Sequence, residues 1–164
     1  MPHVTIEYVI LLPVLIMQIF LFPIAAHWLM NIWVDSRRNL ALQDTASHLG
    51  STIQQLYFSL NHETISTGKV TYSTGLPPFI ENNYYVGTAT LKTVLGSVLN
   101  SSKILQLTLV LAEVGTKVTT QVILGPNVQW KDSTYMSNST HACISAEKLS
   151  FPNGTTTIRL EFGE

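Results

Sequence analysis

The chain has 164 residues, of which 46% are hydrophobic and only 12% charged, and its nine basic and ten acidic residues give a formal net charge of −1. This length suits one ordinary domain with an appendage better than two domains. The only adjacent basic pair is Arg37–Arg38. Nucleic acid is therefore not expected as a partner, because phosphate binding requires a concentrated basic surface.

A segment without any charged side chain runs from Tyr8 to Val34. As a helix it would extend roughly 40 Å, enough to cross the hydrocarbon core of a bilayer. It is too long for the apolar part of a cleavable secretory signal, so we expect it to remain in the mature protein. Pro13 and Pro23 each remove a helical hydrogen bond, which predicts a local bend or unwinding.

The helical pattern continues after the apolar segment, where apolar residues recur at steps of three and four. Only Gly50 weakens this stretch, and one glycine costs about 1 kcal/mol in a helix interior. The sequence predicts one helix from about residue 4 to residue 61, with an amphipathic second half that packs on its own head or dimerises as a coiled coil. The predicted stripe consists of Leu42, Ala46, Leu49, Ile53, Leu56 and Leu60.

Strand patterns replace the helical period after residue 62, and turn residues separate them. Strands are predicted at residues 69–73, 84–91 and 155–162, and a hairpin pairs 103–113 with 116–124. Leu95 to Ser102 reads as a helical turn or a loop, and the stretch with Trp130, Tyr135 and Cys143 as loop or short edge strands. The predicted fold class is α+β, with a helical segment 1–62 and a β-rich head 63–164 of four to six antiparallel strands.

The head offers no residue pattern typical of catalysis or metal binding. Its only cysteine, Cys143, cannot form an internal disulfide and is interpreted as a small buried side chain, an intermolecular bridge or a reactive thiol. The histidines are scattered, and no phosphate loop or nucleophile elbow is present. We therefore expect a protein that is not an enzyme and has no cofactor. Three sequons make N-linked glycans candidates, at Asn100, Asn138 and Asn153.

The sequence VTIEYVILLP, which contains Glu7 and Pro13, resembles the start of type IV pilins and is also similar to that of TadE-like pseudopilins. The resemblance covers roughly the first 60 residues. It implies that Glu7 neutralises the N-terminal amine of an adjacent subunit, and that Pro13 and Pro23 lie in an assembly helix. It further implies a helical homopolymer, membrane insertion before assembly, and handling by a prepilin peptidase and pilus assembly machinery. N-glycans on such a filament would suggest an archaeal pilus.

Three functions stay open on these residues. The first is a cell-surface filament subunit whose head is exposed for adhesion, the second a single-pass membrane-anchored β-domain that binds or senses, and the third a minor TadE-like pseudopilin. Arg37 and Arg38 follow the apolar segment, so the positive-inside rule alone would place the head in the cytoplasm. A basic leader ahead of the recorded sequence would reverse that topology, and we expect an extracellular head.

Overall fold

The computed structural model of the protein describes residues 3–93 and 102–163, with side chains from Val9 onward. It contains one long helix, α1 (His3–Asn61), followed by a β domain, so the predicted fold class is confirmed. The chain divides into two compact units, Met1–Arg37 and Arg38–Glu164. The second half of the helix therefore belongs to the same unit as the strands.

The described part of the β domain contains eight strands in two four-stranded sheets. Their bounds are β1 Gly68–Ser73, β2 Tyr85–Thr93, β3 Lys103–Leu111, β4 Lys117–Leu124, β5 Val128–Trp130, β6 Thr134–Met136, β7 Cys143–Ser150 and β8 Thr156–Gly163. The first sheet has the order β1-β7-β8-β5 and the second the order β4-β3-β2-β6. All neighbours are antiparallel except β5 and β8, which are parallel.

The second half of α1 forms part of the domain core, as the stripe predicted. Leu42, Ala46, Leu49 and Ile53 are fully buried, and Leu60 is nearly so. Leu56 is only partly buried, and the neighbouring Tyr57 occupies the core instead. The Tyr57 hydroxyl donates a 2.7 Å hydrogen bond to Asn127 Oδ1. The stripe packs against the strands of its own head, so this alternative to a coiled coil is supported.

Lys148 on β7 connects the end of the helix to the first sheet. Its side chain is only 6% exposed, and its ammonium donates to the backbone carbonyls of His62 at 2.8 Å and Ile65 at 2.9 Å. Carbonyls at a helix C-terminus lack intrahelical donors and carry partial negative charge, so a cation is favourable there. Lys148 thus fixes the helix end and the following turn on β7.

Most of the predicted strands are confirmed, with bounds that shift by one or two residues. The predicted hairpin forms from β3 and β4, and Gly115 in its turn has a φ of 73°, which suits glycine. β5 and β6 contain Trp130 and Tyr135 and lie at sheet edges, as expected. The prediction for Leu95 to Ser102 falls outside the described residues except for Ser102.

Two predictions for the head are wrong. Eight strands replace the four to six that were expected, and the stretch after Cys143 is an eight-residue strand inside the first sheet. β7 was missed because its core-facing positions include Ala146 and Lys148 beside Ile144, so the alternation of apolar residues is weak. The parallel pairing of β5 with β8 was likewise not predicted.

Candidate functional site

The strongest candidate site is the apolar helix surface, defined here as the side chains from Val9 to Trp33 on α1. Its large hydrophobic side chains are between 48% and 77% exposed. The helix has a mean hydropathy of 2.6 over its most apolar 18 residues, none of them buried, and it is long and apolar enough to cross a membrane. Exposure of so many contiguous apolar groups indicates contact with lipid or with another protein.

The helix continues through Pro13 and Pro23 without a break, so the unwinding that these prolines suggested does not occur. Each proline nevertheless lacks the N–H that would donate to the carbonyl four residues earlier. The carbonyls that lose this donor are those of Val9 and Ile19. In an apolar environment such carbonyls need a partner from a neighbouring group.

Three polar side chains interrupt the apolar helix surface: Gln18, His27 and Asn31. Gln18 lies beside Pro23 in a shallow depression that also includes Leu15, Ile19 and Phe22. Gln18 has no hydrogen-bond partner within the described residues. Sequence reasoning did not select Gln18 as a site residue, although an isolated amide five positions before a proline was a usable signal.

The apolar surface ends at a change of polarity. Asp35 is the first charged residue after Val9, and the Arg37 guanidinium lies 4.9 Å from the centroid of the Trp33 ring. Tryptophan and arginine are typical at the boundary between hydrocarbon and water, where the ring is partly apolar and the cation stays hydrated. This end of the segment is therefore suited to a membrane surface.

Glu7 lies on α1 about one turn after its start at His3. Its side chain is outside the described part of the structure, so the role implied by the pilin resemblance stays a prediction. Pro13 and Pro23, the other two predicted assembly residues, both lie on the apolar helix surface.

Two of the three predicted glycosylation sites lie in exposed turns of the head. Asn138 follows β6, and Asn153 lies between β7 and β8. The Asn153 side-chain oxygen accepts hydrogen bonds from the Thr155 hydroxyl at 2.7 Å and from the Thr155 backbone N–H at 3.2 Å. Asn100 is outside the described residues. Exposure makes Asn138 and Asn153 accessible to a modifying enzyme, and their occupancy stays a prediction.

A polar groove lies on the first sheet of the head. Glu161 accepts hydrogen bonds from Lys131 at 2.7 Å and from Lys69 at 3.0 Å. The hydrogen bond from Lys131 has the largest effect and that from Lys69 the next largest, and together they hold the pKa of the Glu161 carboxyl below its ordinary value. The positive charges of Lys69 and Lys131 both pair with the Glu161 carboxylate, so the three side chains form a surface ion-pair cluster.

Cys143 lies in this groove as a free thiol of intermediate exposure, so the interpretation as a small buried side chain is only partly met. Within residues 3–93 and 102–163, no group of three or more His, Cys, Asp or Glu side chains is placed to hold a metal ion.

Comparison of the chain with protein-family models, with curated proteins and with solved structures finds no match. The functional interpretation therefore depends on the residues of this chain and on their placement.

Proposed function

We propose that this chain is the structural subunit of an extracellular filament of the type IV pilus kind. In this proposal the apolar helix surface packs against that of other copies in the fibre core, and the β domain lies outside, where it is available for adhesion. The observation that carries the proposal is the uncharged segment of α1 from Val9 to Trp33, whose large apolar side chains are all about half exposed or more while the head buries its own core.

Packing of many helices would remove this surface from water. Burial stabilises by roughly 25 cal/mol for each Å² of apolar surface, and neighbouring helices can also satisfy the carbonyls that the prolines leave without donors. The pilin-like sequence around Glu7 adds to this support. The proposal includes insertion in the membrane before assembly, processing by a prepilin peptidase, and N-glycans on exposed turns of the head.

A single-pass membrane anchor for a binding or sensory β domain is the second candidate. It is favoured by the length and composition of the helix, which suffice to cross a bilayer, and by the Trp33–Arg37 pair at the end of the apolar segment. A minor TadE-like pseudopilin is the third, and it differs from the first in abundance within the fibre. None of the three requires a catalytic site.

Electron microscopy of material sheared from cell surfaces, combined with mass spectrometry of its main protein band, tests the proposal. A filament subunit is expected as the major component of long fibres whose core resists mild detergent. Recovery of the chain only from the membrane fraction, as a small detergent-bound species, would contradict the filament and favour the anchor. The N-terminal mass from the same sample identifies the first residue of the processed chain.

A further inference from the structure

The polar groups beside Pro23 suggest how neighbouring copies of the apolar helix surface contact each other. Pro23 has no N–H, so the Ile19 carbonyl lacks its helical donor. Gln18 supplies two amide N–H donors and has no hydrogen-bond partner within the described residues. An unpaired donor and an unpaired acceptor therefore lie in one depression, beside Phe22 and Ala25. Lipid chains can satisfy neither group.

The direction of the side chain argues that the two groups are not partners within one chain. Side chains on an α-helix lean toward its N-terminus, whereas the backbone carbonyls point toward its C-terminus. The Gln18 amide thus leans away from the Ile19 carbonyl of its own helix. The other nearby carbonyls of the same helix already accept hydrogen bonds from helical N–H groups. A carbonyl that lacks a donor and can be reached by Gln18 therefore belongs to a second copy.

We propose that Gln18 donates a hydrogen bond to the Ile19 carbonyl of a neighbouring copy of this chain, and that this bond sets the register of the helix contact. This inference rests on the self-association in the proposed function and names the groups that make it specific. The occupant of the depression beside Pro23 is then a second helix of identical sequence.

The same geometry predicts a staggered contact. Copies inserted with one topology are parallel, and in a parallel pair in register the donor and the acceptor lie at different heights. A shift of the neighbouring helix by roughly one to two turns, about 5–10 Å, brings them level. Each copy then donates from Gln18 to one neighbouring copy and accepts at the Ile19 carbonyl from another. Such a head-to-tail contact is not closed by a two-fold axis and can continue into a filament.

The test measures self-association of the full chain in neutral detergent micelles by sedimentation equilibrium. Gln18→Leu is expected to weaken association by roughly 3- to 30-fold, the range for one hydrogen bond between helices in an apolar medium. Pro23→Ala restores an N–H for the Ile19 carbonyl and is expected to weaken association by a similar factor. The variant with both substitutions is expected to have the same association constant as the single variant that associates more weakly, because both changes remove the same hydrogen bond.

Matched controls separate this bond from general effects. Pro13→Ala makes the same backbone change ten residues earlier, Met17→Leu alters the neighbouring side chain, and Asn31→Leu removes another amide. All three residues lie on the apolar helix surface, so each change is expected to weaken association, but by less than Gln18→Leu or Pro23→Ala. Effects of Gln18→Leu and Pro23→Ala that simply multiply would overturn the inference, as would an equal loss with Asn31→Leu. Thermal unfolding of the head, followed in parallel, verifies that every variant is folded.

Electron microscopy of fibres from the same variants distinguishes the two proposals. Unimpaired fibres from Gln18→Leu, together with unchanged association in micelles, would overturn this inference and leave the filament intact. Association that depends on Gln18 in micelles, without fibres from the unchanged chain, would overturn the filament and leave the helix contact.

Discussion

The two halves of α1 differ in where their apolar surface is buried. Most of the apolar stripe from Leu42 to Leu60 is buried by the strands of the same chain, whereas the apolar side chains from Val9 to Trp33 are exposed. The first arrangement is complete within one molecule and needs only the correct fold. The second has more apolar surface than one chain can cover, so it depends on lipid or on other copies. One helix thus contains a segment that folds with the head and a segment whose apolar surface is exposed.

Removing the two halves of α1 separately is expected to have the largest effect on this difference. A chain that begins at Arg38 keeps the whole second compact unit, and we expect it to be a soluble, cooperatively folding monomer that has lost membrane insertion and fibre formation completely. Circular dichroism during heating and sedimentation velocity in buffer without detergent provide the measurements.

The matched truncation begins at Glu63 and also removes Leu42, Leu49 and Ile53 from the core. We expect this shorter chain to show no cooperative transition, because the sheets lose the side chains that cover one side of their core. It also tests whether the domain boundary belongs at 62, as the sequence suggested. A stable fold from residues 63–164 alone would show that the helix is dispensable to the head.

Single substitutions compare a buried with an exposed face of the same helix segment. Ile53→Ala is expected to lower the free energy of unfolding by about 2–5 kcal/mol, since Ile53 is fully buried. Phe58→Ala, five residues later at 60% exposure, is expected to change it by less than about 0.5 kcal/mol. Urea unfolding of the chain that begins at Arg38 measures both. Similar losses in the two variants would mean that Phe58 is also part of a buried contact.

Sequence periodicity predicted the regular elements well, because each carries its signal locally. The α1 stripe at steps of three and four and the β3–β4 hairpin with Gly115 were both recognisable from neighbouring residues. β7 was not, since its place between β1 and β8 depends on partners about 75 residues before it and immediately after it. Long-range pairing of this kind leaves little trace in a single segment.

The candidate site was predictable to a similar extent. An uncharged segment of this length indicates an apolar surface from composition alone, and exposure in the structure agrees with it. The role of Lys148 in holding the end of α1 was not predictable, because its hydrogen-bond acceptors are the carbonyls of His62 and Ile65, which lie more than 80 residues away in the sequence. Lysine in a strand is ordinarily exposed, and only the fold shows that this one is buried.

Lys148 allows a test of how the C-terminal end of α1 is held on the first sheet. Lys148→Met keeps the aliphatic length but removes the donor to the Ile65 carbonyl and leaves the His62 carbonyl with only the Ile65 N–H at 3.2 Å. We therefore expect a loss of about 1–3 kcal/mol in the free energy of unfolding. Lys69→Met, at an exposed lysine, serves as the control and should cost less than Lys148→Met, because ion pairs at the surface contribute little to stability. Chemical denaturation compares them. A greater loss for Lys69→Met would contradict the capping role.

The smallest expected effect is a pH dependence confined to the head. Because Lys131 and Lys69 lower the pKa of Glu161 in the folded state below its ordinary value of 4.5, the folded state holds this proton less tightly than the unfolded state. The resulting stability is fully present above pH 4.5 and is lost as the pH falls through the lower, folded pKa. At this exposed cluster we expect less than about 1 kcal/mol.

Glu161→Gln removes the titrating group and retains the shape of the side chain. In the chain that begins at Arg38, the free energy of unfolding of this variant should depend less on pH below 4.5 than that of the unsubstituted version. Salt should reduce the difference, because ions screen exposed pairs. Identical pH profiles would show that ionisation of Glu161 contributes nothing to the stability of the head.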